Sequence, residues 1–171
     1  MVEGGGDGTV SANRERPHLQ VILEDDANRQ IAVGFRNHPN VNSRQMPLDN
    51  VAGGWIDALR RFSVDEIPML RRYPHRQVLI VIDFDGNKDR FNEALSYIPE
   101  DLRERVYILG SADEPEKLSK ALKCNKEQIG QLLAQDCVNE TQTTWNHSML
   151  AHNVGELQRL LSNVRPFLIQ K

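Results

Sequence analysis

The sequence predicts an α/β fold: a compact, mostly parallel sheet with helices on both faces and a C-terminal helical extension. Three observations carry that expectation. Aliphatic runs alternate with stretches of helical periodicity, the pattern of strands joined by crossover helices. The strongest run, residues 77–84 (QVLIVIDF), is apolar without alternation up to its first acid, as expected of a parallel strand covered on both faces. Finally, 171 residues with 39% hydrophobic and 26% charged side chains make one ordinary domain, large enough to bury a core without a metal or disulfide staple.

The elements follow in chain order. Residues 1–17 hold four glycines and almost no large apolar side chain, so a flexible tail is expected there and the domain is expected over 18–171. Residues 19–23 (LQVIL) form a short buried strand that runs into Glu24, Asp25 and Asp26. A helix over 28–35 follows, with Asp25 or Asp26 as its cap, because a carboxylate accepts the free N–H groups of a first turn. Residues 37–50, rich in Asn and Pro, read as a loop with at most one short strand. Over 54–72 a helical stripe of Trp55, Ile56, Leu59, Phe62, Ile67, Met69 and Leu70 is interrupted by Pro68, which predicts two short helices or one bent one. The strand over 77–84 comes next, then a turn at Asp85-Gly86-Asn87 and a helix over 88–97. A third strand spans 105–109 (RVYIL), followed by a helix from 116 to about 134. The C-terminal helices occupy about 137–171, including one from 154 to about 164.

Composition narrows the function. A net charge of −3 and a sequence pI near 6.0 exclude a polycation that coats nucleic acid, so phosphate chemistry here calls for a bound cation. Cys124 and Cys137 lack a CxxC spacing and read as reduced structural thiols. The longest apolar stretch, residues 78–82, is far short of the ~20 residues needed to cross a bilayer, and the N-terminus lacks a signal-peptide profile; no membrane association and a cytoplasmic location are expected.

The chemistry is expected at the carboxyl ends of the strands, where open α/β sheets bind ligands. Those ends carry Glu24, Asp25 and Asp26, then Asp83 and Asp85, then residues 111–114 with Glu114. In extended backbone Asp83 and Asp85 point the same way and Phe84 the other. Clustered carboxylates repel one another, and a divalent cation turns the cluster into a stable oxygen-ligand site. The alternative for each acid is structural, as a cap of the next helix.

A strand ending in Glu, a helix, and a later strand ending in Asp-x-Asp resembles the Toprim domain of primases, topoisomerases, overcoming-lysogenization-defect nucleases and nuclease-like proteins of phage defence. The resembling stretches are LQVILEDDANRQIAVGF and QVLIVIDFDGN; VYILGSADEPEKLSKAL and TTWNHSMLAHNVGELQRLL also look like short Toprim-like proteins encoded beside an ATPase. The resemblance covers about residues 18–120. It implies a Toprim-like, Rossmann-like sheet, with Glu24 as general acid or base or as a further metal ligand, and Asp83 and Asp85 holding Mg²⁺ (or Mn²⁺). Asp25 stands where the family usually has Gly, which leaves Asp25 or Asp26 as an alternative working acid. The implied activity is metal-dependent phosphoryl transfer on DNA or RNA, as a nuclease or nuclease subunit, with a partner ATPase.

Three other readings stand beside it. LIVIDFDGN also resembles haloacid-dehalogenase phosphatases, with Asp83 as nucleophile, Asp85 as general acid and Ser111 closing the next strand. ILEDDANR resembles the acidic pair of receiver domains. The third is an α/β protein-interaction module without chemistry. Arg71, Arg72, Arg76 and Lys88 are candidate nucleic-acid contacts, against the reading of a solvated helix face. Tyr73, Tyr97 and Tyr107 read as packing residues, and His147 and His152 as surface or core histidines. Leu157, Leu160, Leu161 and Val164 form an apolar stripe that, if uncovered, offers a homo-oligomer or partner face.

Overall fold

In the computed structural model of the protein residues 14–170 are described; of the tail expected over 1–17, residues 1–13 lie outside them. Strands β1 (His18–Leu23), β2 (Arg76–Val81) and β3 (Val106–Leu109) form an all-parallel sheet in the order β1-β2-β3. The register sets His18 against Arg76, Leu23 against Val81, and Val81 against Leu109, so all three strands end level at one edge.

Alternation along the strands divides the core into two layers. Leu19, Val21, Leu23, Leu79, Tyr107 and Leu109 face helices α1 (Asp26–Arg36), α5 (Pro115–Leu122), α6 (Lys126–Asn139) and α7 (Val154–Leu168). Ile22, Val78, Ile80, Ile82, Val106 and Ile108 face α2 (Trp55–Arg61), α3 (Ile67–Arg72) and α4 (Arg90–Leu95). The expected α/β sandwich is thus present, with helices on both faces and a C-terminal helix. The apolar stripe of α7 is part of this core: Leu157, Leu160 and Val164 are buried, so it is not an exposed face for another copy. No helix among the described residues is long and apolar enough to cross a membrane.

Both sheet edges are covered by groups that substitute for a further strand. On β3, the Glu156 carboxylate accepts from the Ile108 N–H at 2.8 Å, and the Asn153 amide both accepts from Gly110 N–H (3.1 Å) and donates to its carbonyl (2.9 Å). On β1, Val21 N–H donates to Pro47 O and Val21 O accepts from Asp49 N–H, each at 3.0 Å. These bonds satisfy backbone groups that would otherwise leave open edges.

Several boundaries differ from the expectation, each for a local reason. Strand β2 ends at Val81 rather than at Phe84: beyond it backbone-to-backbone bonds continue only on the β3 side, through Ile82 N–H to Leu109 O (3.1 Å) and Phe84 N–H to Ser111 O (3.0 Å). The stretch 54–72 runs on as α2, a π-helical segment Phe62–Glu66 and α3. Pro68 lies in the first turn of α3, directly after the π segment, where the wider turn accommodates a residue without an N–H. The helix expected from 116 to 134 is two helices. Lys123 at φ 56° ends α5, and Asn125 starts α6 with a reciprocal capping box to Gln128. Helix α7 continues four residues past the expected Val164, to Leu168.

Helices α1 and α6 touch backbone to backbone. A Cβ on Gly34 would lie 1.9 Å from Glu127 O, and one on Gly130 would lie 2.0 Å from Ile31 O. Two glycines facing a partner helix allow this approach, and it fixes the position of α1 over the sheet.

Candidate metal centre

Strand β1 passes into α1 through Glu24 and Asp25. Asp25 is extended (φ −147°) and caps α1: its Oδ1 accepts from Asn28 N–H at 3.0 Å. Glu24 stays beside the sheet, its N–H donating to Val81 O at 3.1 Å, while its Oε2 accepts from the Asp83 N–H at 2.6 Å. The last ladder position of β2 on this side is therefore taken by a carboxylate. Asp83 is 5% exposed, and its Oδ1 is buried with no hydrogen-bond partner.

One carboxylate oxygen from each of Glu24, Asp25 and Asp83 lies within 4.8 Å of the other two. Burial pushes the Asp83 carboxyl up to about 8; the charges of Asp25 and Glu24 add to this, the Asn28 side chain opposes it, and Asp85 raises it further. Burial also raises Glu24, opposed by the Asp83 N–H and the Arg90 guanidinium. No hydrogen bond among the described residues engages Glu24 Oε1 or Asp25 Oδ2. A buried, protonatable carboxyl with an unpartnered oxygen, between two carboxylates with oxygens to offer, fits a hard divalent cation.

Asp85 departs from the expected same-side arrangement. The backbone leaves the extended region at Asp85 (φ 48°) and turns through Gly86 (φ 70°). The Asp85 carboxylate faces Arg90 Nη1 at 3.1 Å, outside the group of three. Asp is among the few side chains that enter this backbone region with ease, and Gly after it completes the turn. Asp26 is exposed and accepts from Gln30 Nε2 at 2.7 Å; Glu114 is exposed at the start of α5. Ser111 ends the β3 side with its Oγ buried and unpartnered.

Three of the four candidate nucleic-acid contacts lie at the other end of β2. Arg76 is a correction: it is 5% exposed at the start of β2 and holds Glu66 Oε1 through Nε (2.8 Å) and Nη2 (2.6 Å), so its guanidinium is not available to a nucleic acid. Arg71 pairs with Asp101 at 3.3 Å and Arg72 lies over the Tyr73 ring at 5.3 Å. Both are at the end of α3, next to the start of β2, and the acidic cluster is at the strand's far end. Lys88 is exposed in the turn before α4. His147 Nδ1 accepts from Met149 N–H (3.1 Å) and His152 stacks edge-on against Phe84 (5.2 Å). Cys124 and Cys137 are free thiols, and burial pushes Cys137 up to about 12.

Two residues beside the acids carry no motif signal. Asn28 is buried one turn into α1, with its Nδ2 unpartnered. Arg90 donates from Nη1 to Asp83 O at 2.6 Å and rests on the Trp55 ring at 4.6 Å. Compared with known proteins, the chain matches no family model, no curated protein and no solved structure.

Proposed function

We propose that this protein is a divalent-metal-dependent phosphoryl-transfer protein acting on nucleic acid, a Toprim-type nuclease or nuclease subunit, with Mg²⁺ (or Mn²⁺) held by Asp83, Glu24 and Asp25. The observation that carries the reading is the buried Asp83 carboxyl: its Oδ1 is unpartnered, and one of its oxygens lies within 4.8 Å of an oxygen from each of Glu24 and Asp25, at the sheet edge where α/β folds bind ligands. Loss of a proton from Asp83 and the supply of a cation are two halves of one event: the ion replaces the proton as counter-charge. When bound, Mg²⁺ supplies neutralisation of a phosphate oxygen and acidification of a water molecule. The chain's own part is placement. The Asp83 N–H fixes the Glu24 carboxylate, and the first turn of α1 fixes Asp25. Asp85 takes a different place from the one the Toprim resemblance implies, next to Arg90 rather than among the ligands.

A near-neutral chain of this size offers little basic surface for specific nucleic-acid recognition, which supports dependence on a partner such as an ATPase. A second reading, a haloacid-dehalogenase-like phosphatase with Asp83 as nucleophile and Asp85 as acid, draws on the buried unpartnered Ser111 Oγ at the end of the neighbouring strand. The test is calorimetry with Mg²⁺ and Mn²⁺ on the wild type and Asp83→Asn, with cleavage of plasmid, single-stranded DNA and RNA in the same buffers, alone and with the partner ATPase. Binding lost in the variant together with metal-dependent cutting establishes the reading. Hydrolysis of 4-nitrophenyl phosphate without nucleic-acid cleavage selects the phosphatase. No binding at millimolar metal leaves the acids structural tasks alone, Asp25 as the cap of α1 and Glu24 as the partner of the Asp83 N–H, and makes the protein an interaction module.

A further inference from the structure

We propose that Arg90 forms an oxyanion subsite beside the acidic cluster, taking a phosphate oxygen of the substrate, and that Asp85 and Trp55 are the positioning residues that hold it there. This rests on the metal-site reading above and assigns Asp85 a task other than metal ligation.

Charge sets the first requirement. Glu24, Asp25, Asp83 and Asp85 gather at one sheet edge, and an incoming phosphate diester is itself an anion. One divalent ion leaves that edge without a positive group for the non-bridging oxygen it does not hold. Among the described arginines and lysines, Arg90 is the one whose guanidinium donates to Asp83 O, at 2.6 Å, which places its charge at the cluster.

Its geometry is that of a held but unsaturated guanidinium. Nη1 carries both of its hydrogen bonds, to Asp83 O (2.6 Å) and Asp85 Oδ2 (3.1 Å). The face of the group lies on Trp55 at 4.6 Å, and the side chain is 15% exposed. Nη2 has no partner among the described residues, and Nε is buried without one. A guanidinium is a planar fork suited to oxyanions, and stacking on an aromatic ring restricts its rotamers before a ligand arrives. The left-handed turn at Asp85 and Gly86 is what brings the Asp85 carboxylate back to Arg90. A backbone conformation that most residues avoid is used here to orient one cation.

The probe is thymidine 3′,5′-bisphosphate, titrated by calorimetry into protein saturated with Mn²⁺, after Mn²⁺ itself has been titrated into each protein. In Arg90→Ala, Mn²⁺ affinity is kept or rises, because a neighbouring cation is gone, while Mn²⁺-dependent affinity for the bisphosphate falls about tenfold or more, the scale of a lost charge-assisted hydrogen bond. Arg90→Lys recovers only part, because an ammonium keeps the charge and loses the fork. Asp85→Asn also weakens the bisphosphate and leaves Mn²⁺ affinity in place, the reverse of what a metal ligand would do. Far-ultraviolet circular dichroism on each variant confirms a folded chain. Unchanged bisphosphate affinity in a folded Arg90→Ala overturns the subsite alone, as does a wild type that takes Mn²⁺ but no bisphosphate. Loss of Mn²⁺ binding in Asp85→Asn overturns the positioning task of Asp85. A wild type that takes no Mn²⁺ overturns both the subsite and the metal-site reading.

Discussion

Glu24 Oε2 accepts a 2.6 Å hydrogen bond from the backbone N–H of Asp83, so a side chain from the end of β1 completes the ladder at the end of β2. The two acids are 59 positions apart in the chain and are made neighbours by the parallel register of His18 on Arg76 through Leu23 on Val81. Glu24 thus serves the fold and the candidate site with the same carboxylate.

Substitutions at this pair separate the two tasks. Glu24→Gln keeps an oxygen for the Asp83 N–H and loses the charge; Glu24→Ala leaves that buried N–H without a partner, at a cost of about 1–3 kcal/mol. Urea denaturation is expected to show a small change for the first and a clear loss for the second. Both weaken Mn²⁺ binding in calorimetry.

The pH dependence of stability follows from Asp83. Its folded-state carboxyl titrates near 8 and its unfolded one near 3.8, so between these values the folded chain holds the extra proton. Its contribution to stability is complete below the unfolded value and is lost as pH rises through 8. Thermal melts without metal are expected to show Asp83→Asn gaining over wild type above pH 8, by about 1–3 kcal/mol for a buried charge with no counter-charge. Added Mn²⁺ raises the wild-type Tm more at pH 8.5 than at pH 6 and leaves the variant unmoved.

Helix packing reaches the same centre. Gly130→Ala puts a methyl group 2.0 Å from Ile31 O, which forces α1 and α6 apart at a cost of about 1–3 kcal/mol. Because Asp25 caps α1, Mn²⁺ affinity falls together with stability. Gly155→Ala, whose Cβ meets nothing within 4 Å, changes neither in the same assays.

At the opposite end of the sheet, Arg76, Glu66 and His18 form a buried polar knot, with Arg76 Nη1 3.0 Å from His18 Nε2. Glu66→Ala leaves the guanidinium buried without its carboxylate and costs about 3–5 kcal/mol by urea denaturation, whereas Glu66→Leu with Arg76→Met recovers most of that loss. Burial holds His18 below its usual 6.5, so the unfolded chain takes up more protons as pH falls past that value. The knot therefore weakens in acid, and His18→Gln flattens the Tm profile between pH 6.5 and 5.

Much of the fold was readable from side-chain periodicity. The unbroken run at residues 78–82 and the acids closing each strand follow local rules, which is why the strands and the edge they share appear in the sequence itself. The division of 116–134 into α5 and α6 was also readable, through the Asn125-x-x-Gln128 capping box, but helical composition on both sides concealed it. Glycine contacts such as Gly34 on Glu127 O are invisible in a pattern, because they depend on which helices become neighbours.

The candidate site divides in the same way. Glu24 and Asp83 were legible as strand ends, since parallel strands run the same way and present their carboxyl ends at one edge of the sheet. Tertiary structure alone decided that Asp25 joins them while Asp85 turns away to Arg90, that Arg76 is buried in an ion pair, and that Trp55 carries the Arg90 guanidinium. The physical reason is range. Periodicity, capping and strand ends are set by neighbours a few residues away, whereas burial and charge pairing depend on groups that only the folded chain brings within a few ångströms.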